Sequence, residues 1–500
     1  MKILIIAAFL IMSPGLLRAS TEFDKVCRDA YSDILSLKFD DAVTKLSNEK
    51  KLSPANTIPF LLENYIDFIK VMVAEEDQDI QALHDSRDAR LQLLTKGDNK
   101  SPWYLQSQAE IYLQSGICRF KFGEYVSGGL DINRAYQLLL ENNAKFPSFP
   151  PTLSRLGLLH ALIGTVPDKY LWIAHAFNFQ GSINQGIAEI RTAYKLTREK
   201  EQYYFLMPET AFLMAYAIVN LSGDRESIRL TIKEFSAAPL SDLVESSPLI
   251  CLSKVNMLSK AGANDQLISC ILACKRNDGQ FPLIYLDYLL GLAKLNRLDQ
   301  DAHLPLLKYL ASFHGKNYIR SAYQRLSWYY LLQGNYEKYS QYQQRILLRG
   351  SDIVDSDKQA KRDASSGSLP NVYLLKARLL FDGGYYEKSI AELGRFNSSP
   401  ESTDPRFKLE YTYRMGRVCD DWGRIPEAIK WYERTVNEGK EKDLYFAPNA
   451  ALHLGMIYEH AGKKTLAEKY YLSCLDMDFT DYSFSISQKA KAGLNRLKGK

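Results

Sequence analysis

The chain has 500 residues, 46% of them apolar and 24% charged, with a formal net charge of +5. Those proportions are ordinary for a folded, soluble chain, and so small a charge gives no electrostatic reason for a nucleic-acid partner. Seven scattered cysteines are too few for a disulfide framework, while 32 tyrosines exceed the usual share, as suits helical repeats that fill space with a ring and leave its hydroxyl at the wet edge.

Residues 1–19 are laid out as a secretory signal peptide: Lys2, an apolar run over 3–12, a breaking Pro14-Gly15, then Leu17-Arg18-Ala19, with Ala19 the expected last residue removed. The run is too short for a stable bilayer span, and no later uncharged run reaches that length. The expected mature chain is therefore exported and soluble, with no integral membrane span and a charge of about +3 once Lys2 and Arg18 are gone from +5. Cys27 follows Glu22, Asp24 and Lys25, so no lipoprotein signal is present.

Residues 20–240 read as an irregular helical repeat region. Phe39 and Ala42 stand where a repeat's turn and second helix belong, and Ser101-Pro102 supplies the cap and first position of another helix. Two apolar blocks, 156–166 and 170–179, flank Pro167-Asp168-Lys169, which predicts a helical hairpin. A helix apolar on nearly all sides needs protein or lipid around it, so this hairpin is either the core of the N-terminal half or a hydrophobic, membrane-touching groove.

Residues 241–348 continue as helical repeats. Gly291 lies 36 residues ahead of Ser327, and Ser327, Tyr330, Gly334 and Tyr336 correspond to Ala377, Leu380, Gly384 and Tyr386 at a step of 50. The excess over the next period falls in 349–371, whose polar, Gly/Ser/Pro-bearing composition predicts an inserted exposed loop.

From 372 to 500 the pattern becomes regular. Gly384, Gly423 and Gly462 are 39 residues apart, and Ala377/Gly416/Gly455, Leu380/Cys419/Tyr458, Ser389/Ala428/Ala467 and Leu393/Tyr432/Tyr471 keep the same step. Such a period predicts stacked pairs of amphipathic helices with a glycine turn between them. Lys489, Lys491, Arg496, Lys498 and Lys500 then form the solvated face of a capping helix. Cys419 and Cys474 read as apolar fillers, and Cys270 and Cys274 share one helical face without histidines for a metal.

No chemistry emerges from the remaining polar residues. The seven histidines make no metal-ligand spacing with a carboxylate, and no nucleophile elbow, phosphate loop or dinucleotide fingerprint is present. Gly128-Gly129 follows no strand. Neighbouring acids such as Asp420-Asp421 point to different sides of a helix, unlike a general acid/base pair. The sequence predicts no enzyme, no metal and no cofactor.

The segments 415–436 and 454–475 carry the tetratricopeptide pattern through Gly416, Gly423, Ala428 and Tyr432, and through Gly455, Tyr458, Gly462, Ala467 and Tyr471. On these residues, the apolar hairpin and Phe179-Gln180-Gly181 leading to Gly186, the chain resembles the tetratricopeptide repeat protein 39 family and its fungal relatives. The resemblance implies an all-α, tetratricopeptide-type helical-hairpin solenoid. Its eukaryotic members are intracellular, with fungal ones implicated in inclusion-body clearance and lipid-droplet contacts, whereas this chain carries an export signal and is more similar to secreted or periplasmic homologues of Bacteroidetes-type bacteria.

The expected function is therefore a non-catalytic scaffold in the bacterial cell envelope, periplasmic or outer-membrane-associated, that holds a protein or peptide partner on its concave face. Candidate partner-binding residues are Tyr373, Arg414, Arg417, His453 and Glu459, which stand beside the core columns. Alternatives are capture of a glycan or small ligand at the cell surface, where aromatic rings stack on sugars, and a peripheral lipid contact through 156–179.

Overall fold

The computed structural model describes residues 20–166, 179–274 and 277–498, and they are helical with no strand, save for an isolated bridge between Ser20 and Asn56. The predicted signal peptide at 1–19 and most of the second apolar block, 170–178, lie outside the described residues.

The regular part consists of three hairpins, Val372–Asp382 with Tyr386–Asn397, Pro405–Asp421 with Ile425–Gly439, and Phe446–His460 with Lys464–Leu475, closed by the helix Ser483–Leu497. Each turn is made the same way. The residue after the glycine donates its N–H to the carbonyl five positions back: Tyr385 to Leu380 (2.8 Å), Arg424 to Cys419 (2.8 Å) and Lys463 to Tyr458 (2.9 Å). This closure requires a left-handed residue between, and Gly384, Gly423 and Gly462 have φ of +79°, +81° and +70°.

In the second and third hairpins the small-residue column works by exclusion of a side chain. A Cβ on Gly416 would stand 2.6 Å from the Tyr432 ring, and one on Gly455 2.5 Å from that of Tyr471. Each tyrosine of the returning helix thus lies directly on the backbone of the first, fully buried. Their hydroxyls still find partners: Tyr432 donates to Asp420 (3.0 Å) and Tyr471 to Glu459 (2.5 Å), acids that are themselves 39 residues apart.

The same hairpin architecture runs back to residue 25, without the glycine ruler. Lys25–Leu35 pairs with Phe39–Leu52, Ile58–Ala74 with Asp77–Leu94, Pro102–Lys121 with Tyr125–Lys145, Pro150–Ile163 with Ile183–Glu199, and Pro248–Lys260 with Asn264–Ala273. Ser101 caps its helix by accepting from the Trp103 N–H at 3.2 Å. Of the apolar hairpin, the first helix is core: Leu156, Leu158, Leu159 and Ala161 are buried. The helical stretch Glu201–Ser222 is long and apolar enough to cross a membrane by length and composition. Glu209 within it receives hydrogen bonds from Tyr31 and Tyr65 and pairs with Arg155, which ties the stretch into protein.

The inserted segment departs from the expectation of a loop. Asp355–Ser365 is a helix, with Asp357 and Ala360 buried against Ile319–Leu332. Its composition hid this because the buried side is one aspartate and one alanine. The Asp357 carboxylate accepts the backbone N–H groups of Tyr318 (2.6 Å) and Ser321 (2.8 Å), capping the start of the earlier helix Ile319–Leu332 from outside. Burial pushes its carboxyl up to about 6 from an ordinary 3.8, against the pull of those two N–H groups. The folded state then holds a proton that the unfolded chain has released, so stability falls as pH rises from about 4 to about 6 and is level above. About two pH units correspond to about 3 kcal/mol. Asp357→Asn is expected to flatten that part of the profile, as read from urea midpoints at pH 4.5 and 6.5; a variant keeping the parent slope would refute the assignment.

The stack curls back on itself. Buried residues as distant as Phe23, Leu61, Leu206, Val255 and Leu286 share one core. Glu75, itself left-handed at φ +57°, accepts the N–H groups of Lys316 and Asn317 at 3.0 Å each and binds Lys121 at 2.6 Å. Burial works against its charge, but Lys121 and Asn317 hold its carboxyl below the ordinary range. Farther round, Arg225 pairs with Asp421 at 2.5 Å, the Tyr385 hydroxyl donates to Asp265 at 2.8 Å, and the backbones of Gly262 and Gly384 touch.

Candidate functional site

This curl encloses a cavity of about 950 Å³ whose walls come from both halves: the corner at 72–75, the stretch from Phe212 to Arg229, the helix Pro248–Lys260, and the first helices of the regular repeats through Phe381, Arg417, Asp421 and His453. A smaller chamber of about 270 Å³ adjoins it along Phe381, Asp382 and Arg417, and reaches Arg378, Arg414, Tyr445 and Lys489. Residues 39 apart meet here because first helices of successive repeats lie side by side with the same face inward.

Two columns run along the first helices, and four of their residues, Arg378, Arg417, Arg414 and His453, line the two cavities. At the steps of 50 and 39 already seen, one column reads Trp328, Arg378, Arg417, Met456, and its neighbour Arg325, Leu375, Arg414, His453. Arg325 and Arg378 both lie over the Trp328 ring, at 4.3 and 4.8 Å from its centre, and Arg417 lies over Phe381 at 5.0 Å. Aromatic faces offset part of the cost of holding these cations out of water. Compensation is incomplete: Arg325 Nη1 and Arg417 Nε are buried without a hydrogen-bond partner. Burial and the neighbouring Arg378 push the Arg325 guanidinium below its ordinary value.

Of the five residues predicted from sequence, three converge. Arg417 and His453 line the large cavity, and Arg414 and Arg417 the small one. Arg414 is paired along its own helix with Glu410, and Arg417 donates to the Tyr413 hydroxyl at 3.1 Å. His453 stacks on Tyr432, with ring centres 5.3 Å apart, and its Nδ1 is 3.2 Å from Asp420. Burial pushes the imidazole below its ordinary value, against the pull of Asp420. Asp420 and Asp421 do face different ways, one to Tyr432 and His453, the other to Arg225.

Tyr373 and Glu459 are elsewhere. Tyr373 is half-buried against the cluster of Leu374, Leu393 and Phe396. Glu459 accepts two hydrogen bonds from Arg496 of the closing helix, both 2.8 Å, besides that from Tyr471, and so fastens the end of the stack. Standing beside a core column was too weak a criterion to separate inner face from packing. Arg378, in the wall of the smaller chamber, was missed, although reading along the column through Arg417 reaches it. Among the described residues no group of three or more His, Cys, Asp or Glu is arranged to hold a metal ion, and all seven cysteines are free thiols.

A search of curated protein sequences finds no match to the chain. Among solved structures it is similar to human IFIT1, seen as a dimer with PPP-AAAA, at 13% identity over 84% of this chain and 96% of that one with a TM-score of 0.38. The IFIT1 dimer with m7Gppp-AAAA matches at 11% identity over 97% and 96% with a TM-score of 0.31. The tetratricopeptide domain of P58(IPK) matches at 12% identity over 88% and 99% with a TM-score of 0.21. These overlays are loose, and the fold assignment rests on the helices and turns described above. The family profile of the tetratricopeptide repeat matches residues 448–481, the span that holds the Gly462 turn and the Gly455–Tyr471 contact; the chain thus carries a tetratricopeptide repeat at 448–481, within an all-α solenoid of hairpins.

Proposed function

We propose that the chain is a non-catalytic interaction scaffold whose inner face holds an extended, acidic segment of a partner protein. The observation that carries this is the pair Arg378 and Arg417 in the wall of the smaller chamber, with Arg417 Nε buried and lacking a partner. Leaving buried charged donors unmet is costly, and carboxylates arriving on a partner would satisfy them in bidentate fashion. The volume suits a strand of peptide, and the half-buried Tyr445 and Tyr482 beside Arg378 offer apolar contact to its backbone. Lys121 with Glu75 and Arg225 with Asp421 are internal pairs in the wall of the large cavity, which favours holding over chemistry there.

The layout of residues 1–19 supports an envelope setting; recovery of the chain only from the cytoplasm, with Met1 retained, would remove that part of the proposal. For the interaction itself, fluorescence anisotropy with extended peptides of matched length is expected to show acidic ones binding at least tenfold tighter than neutral ones, with affinity falling as salt rises. Arg378→Glu with Arg417→Glu should abolish the difference. Equal binding of acidic and neutral peptides would sink the assignment.

A further inference from the structure

Three of the seven cysteines meet in one place. Cys251 stands near the start of Pro248–Lys260, and Cys270 and Cys274 stand one turn apart at the end of Asn264–Ala273, the helix that returns beside it. The Cys251 Sγ lies 3.9 Å from the carbonyl oxygen of Cys270, the same oxygen that accepts the Cys274 N–H at 3.1 Å. The Cys251 thiol also makes side-chain hydrogen bonds with those of Cys270 and Cys274. Cys251 is wholly buried and Cys274 nearly so, whereas part of Cys270 reaches solvent.

These sulfurs differ from those that only fill space. Burial pushes the thiols of Cys27, Cys118 and Cys474 up, which makes them inert. Cys270 is displaced the other way: the Cys251 S–H donates to its sulfur and holds it below its ordinary value against burial, with help from the Lys254 ammonium. Lys254 stands one turn beyond Cys251, its Nζ 3.4 Å from the Phe235 carbonyl oxygen. The thiolate is the attacking form of a cysteine, and a second thiol beside it completes the exchange. Cys270 and Cys274 project from one face of a single helix, so Cys251 is the sulfur that either can reach across the hairpin.

We infer that Cys270 and Cys251 form a thiol–disulfide exchange site, at which a small-molecule disulfide oxidises the pair to a bond across the hairpin. The Cys270 thiolate attacks one sulfur of the reagent. The reagent's S–S bond breaks, one half leaves and takes up a proton, and the other half stays on Cys270 as a mixed disulfide. Cys251 then gives up its proton, and its sulfur attacks that of Cys270 and expels the second half as a thiol. Two electrons pass from the protein pair to the reagent, which ends as two thiols. The new bond ties the wall of the large cavity at Leu249 and Leu252 to the returning helix, in the hairpin whose turn brings Gly262 against Gly384. This site is independent of the acidic-segment reading, and either can fail without the other.

The test is oxidation of the reduced full chain with 2-hydroxyethyl disulfide, followed by alkylation of the remaining thiols and peptide mapping by fragmentation mass spectrometry. The parent is expected to yield a linked peptide in which Cys251 is joined to Cys270, with the loss of two hydrogens and no reagent retained on either. Cys251→Ala should stop after the first step and keep half of the reagent on Cys270. Cys270→Ala should slow the formation of any bond at Cys251 about tenfold, and Cys274→Ala should leave the Cys251–Cys270 link and its rate unchanged. The parent's own map decides the matter even where a variant folds poorly. Reagent left on Cys270 of the parent, a link from Cys251 to Cys274 in place of Cys270, or a folded Cys251→Ala chain without an adduct at Cys270 would overturn the proposal.

Discussion

Replacing Arg155 by methionine is expected to lower the free energy of unfolding by about 3–5 kcal/mol, the largest effect of any single change to a side chain in the N-terminal half. The guanidinium is only 4% exposed and is the sole cation between Glu110 and Glu209 in the contacts that bind them. Removing it leaves two carboxylates in a space that Tyr31 and Tyr65 close from the other side. Burial holds both phenols well above their ordinary range, so they remain neutral hydrogen-bond donors, and a tyrosine has no cationic state with which to replace the guanidinium. Adding Glu110→Gln and Glu209→Gln to the arginine change should restore much of the stability, because packed neutral groups can replace a buried ionic cluster at little cost. Urea unfolding of the single and triple variants at pH 7 checks this, and an Arg155→Met midpoint within experimental error of the parent would refute it.

Three glycines that look identical in sequence should behave unequally. Gly423→Ala and Gly462→Ala each place a Cβ in open space, so their cost is only that of a left-handed alanine, about 1 kcal/mol. Gly384→Ala carries that same cost and in addition drives a methyl to 2.1 Å from the carbonyl oxygen of Gly262. Backbone there cannot swing aside as a side chain would. The contact must open, and with it the hydrogen bonds of Tyr385 to Asp265 and Asn264. The expected destabilisation is about 2–3 kcal/mol beyond the other two variants, with the extra part confined to the junction between the halves. Hydrogen exchange resolves the two contributions: Gly384→Ala should accelerate exchange across 257–268, which the other substitutions leave protected. Equal losses for all three variants would show that the Gly262 contact carries no weight.

The same three positions show what a sequence of this kind discloses. Each glycine is specified by a local demand, the sign of φ at the turn, and a local demand repeats wherever the hairpin repeats. The alanine-or-glycine column and the tyrosine that covers it are specified one helix apart, and they too keep the 39-residue step. Helix, turn, hairpin and stacking order were for that reason legible from 372 onward. The helix at Asp355–Ser365 was not, because its buried side offers a carboxylate to a neighbouring helix end, and such a partnership has no hydrophobic period to read.

Site residues were legible only in part. Arg414, Arg417 and His453 reach the cavities because columns are shared between repeats, whereas Tyr373 and Glu459 stand equally near a core column and spend their contacts on packing and on Arg496. The sequence alone determined the unit and the direction in which units pile up, since both follow from interactions within about forty residues. Tertiary structure alone decided that the pile closes, setting Glu75 against Asn317, Arg225 against Asp421 and Gly262 against Gly384. The closure depends on small angles accumulated over many hairpins, and no single stretch of chain records that sum.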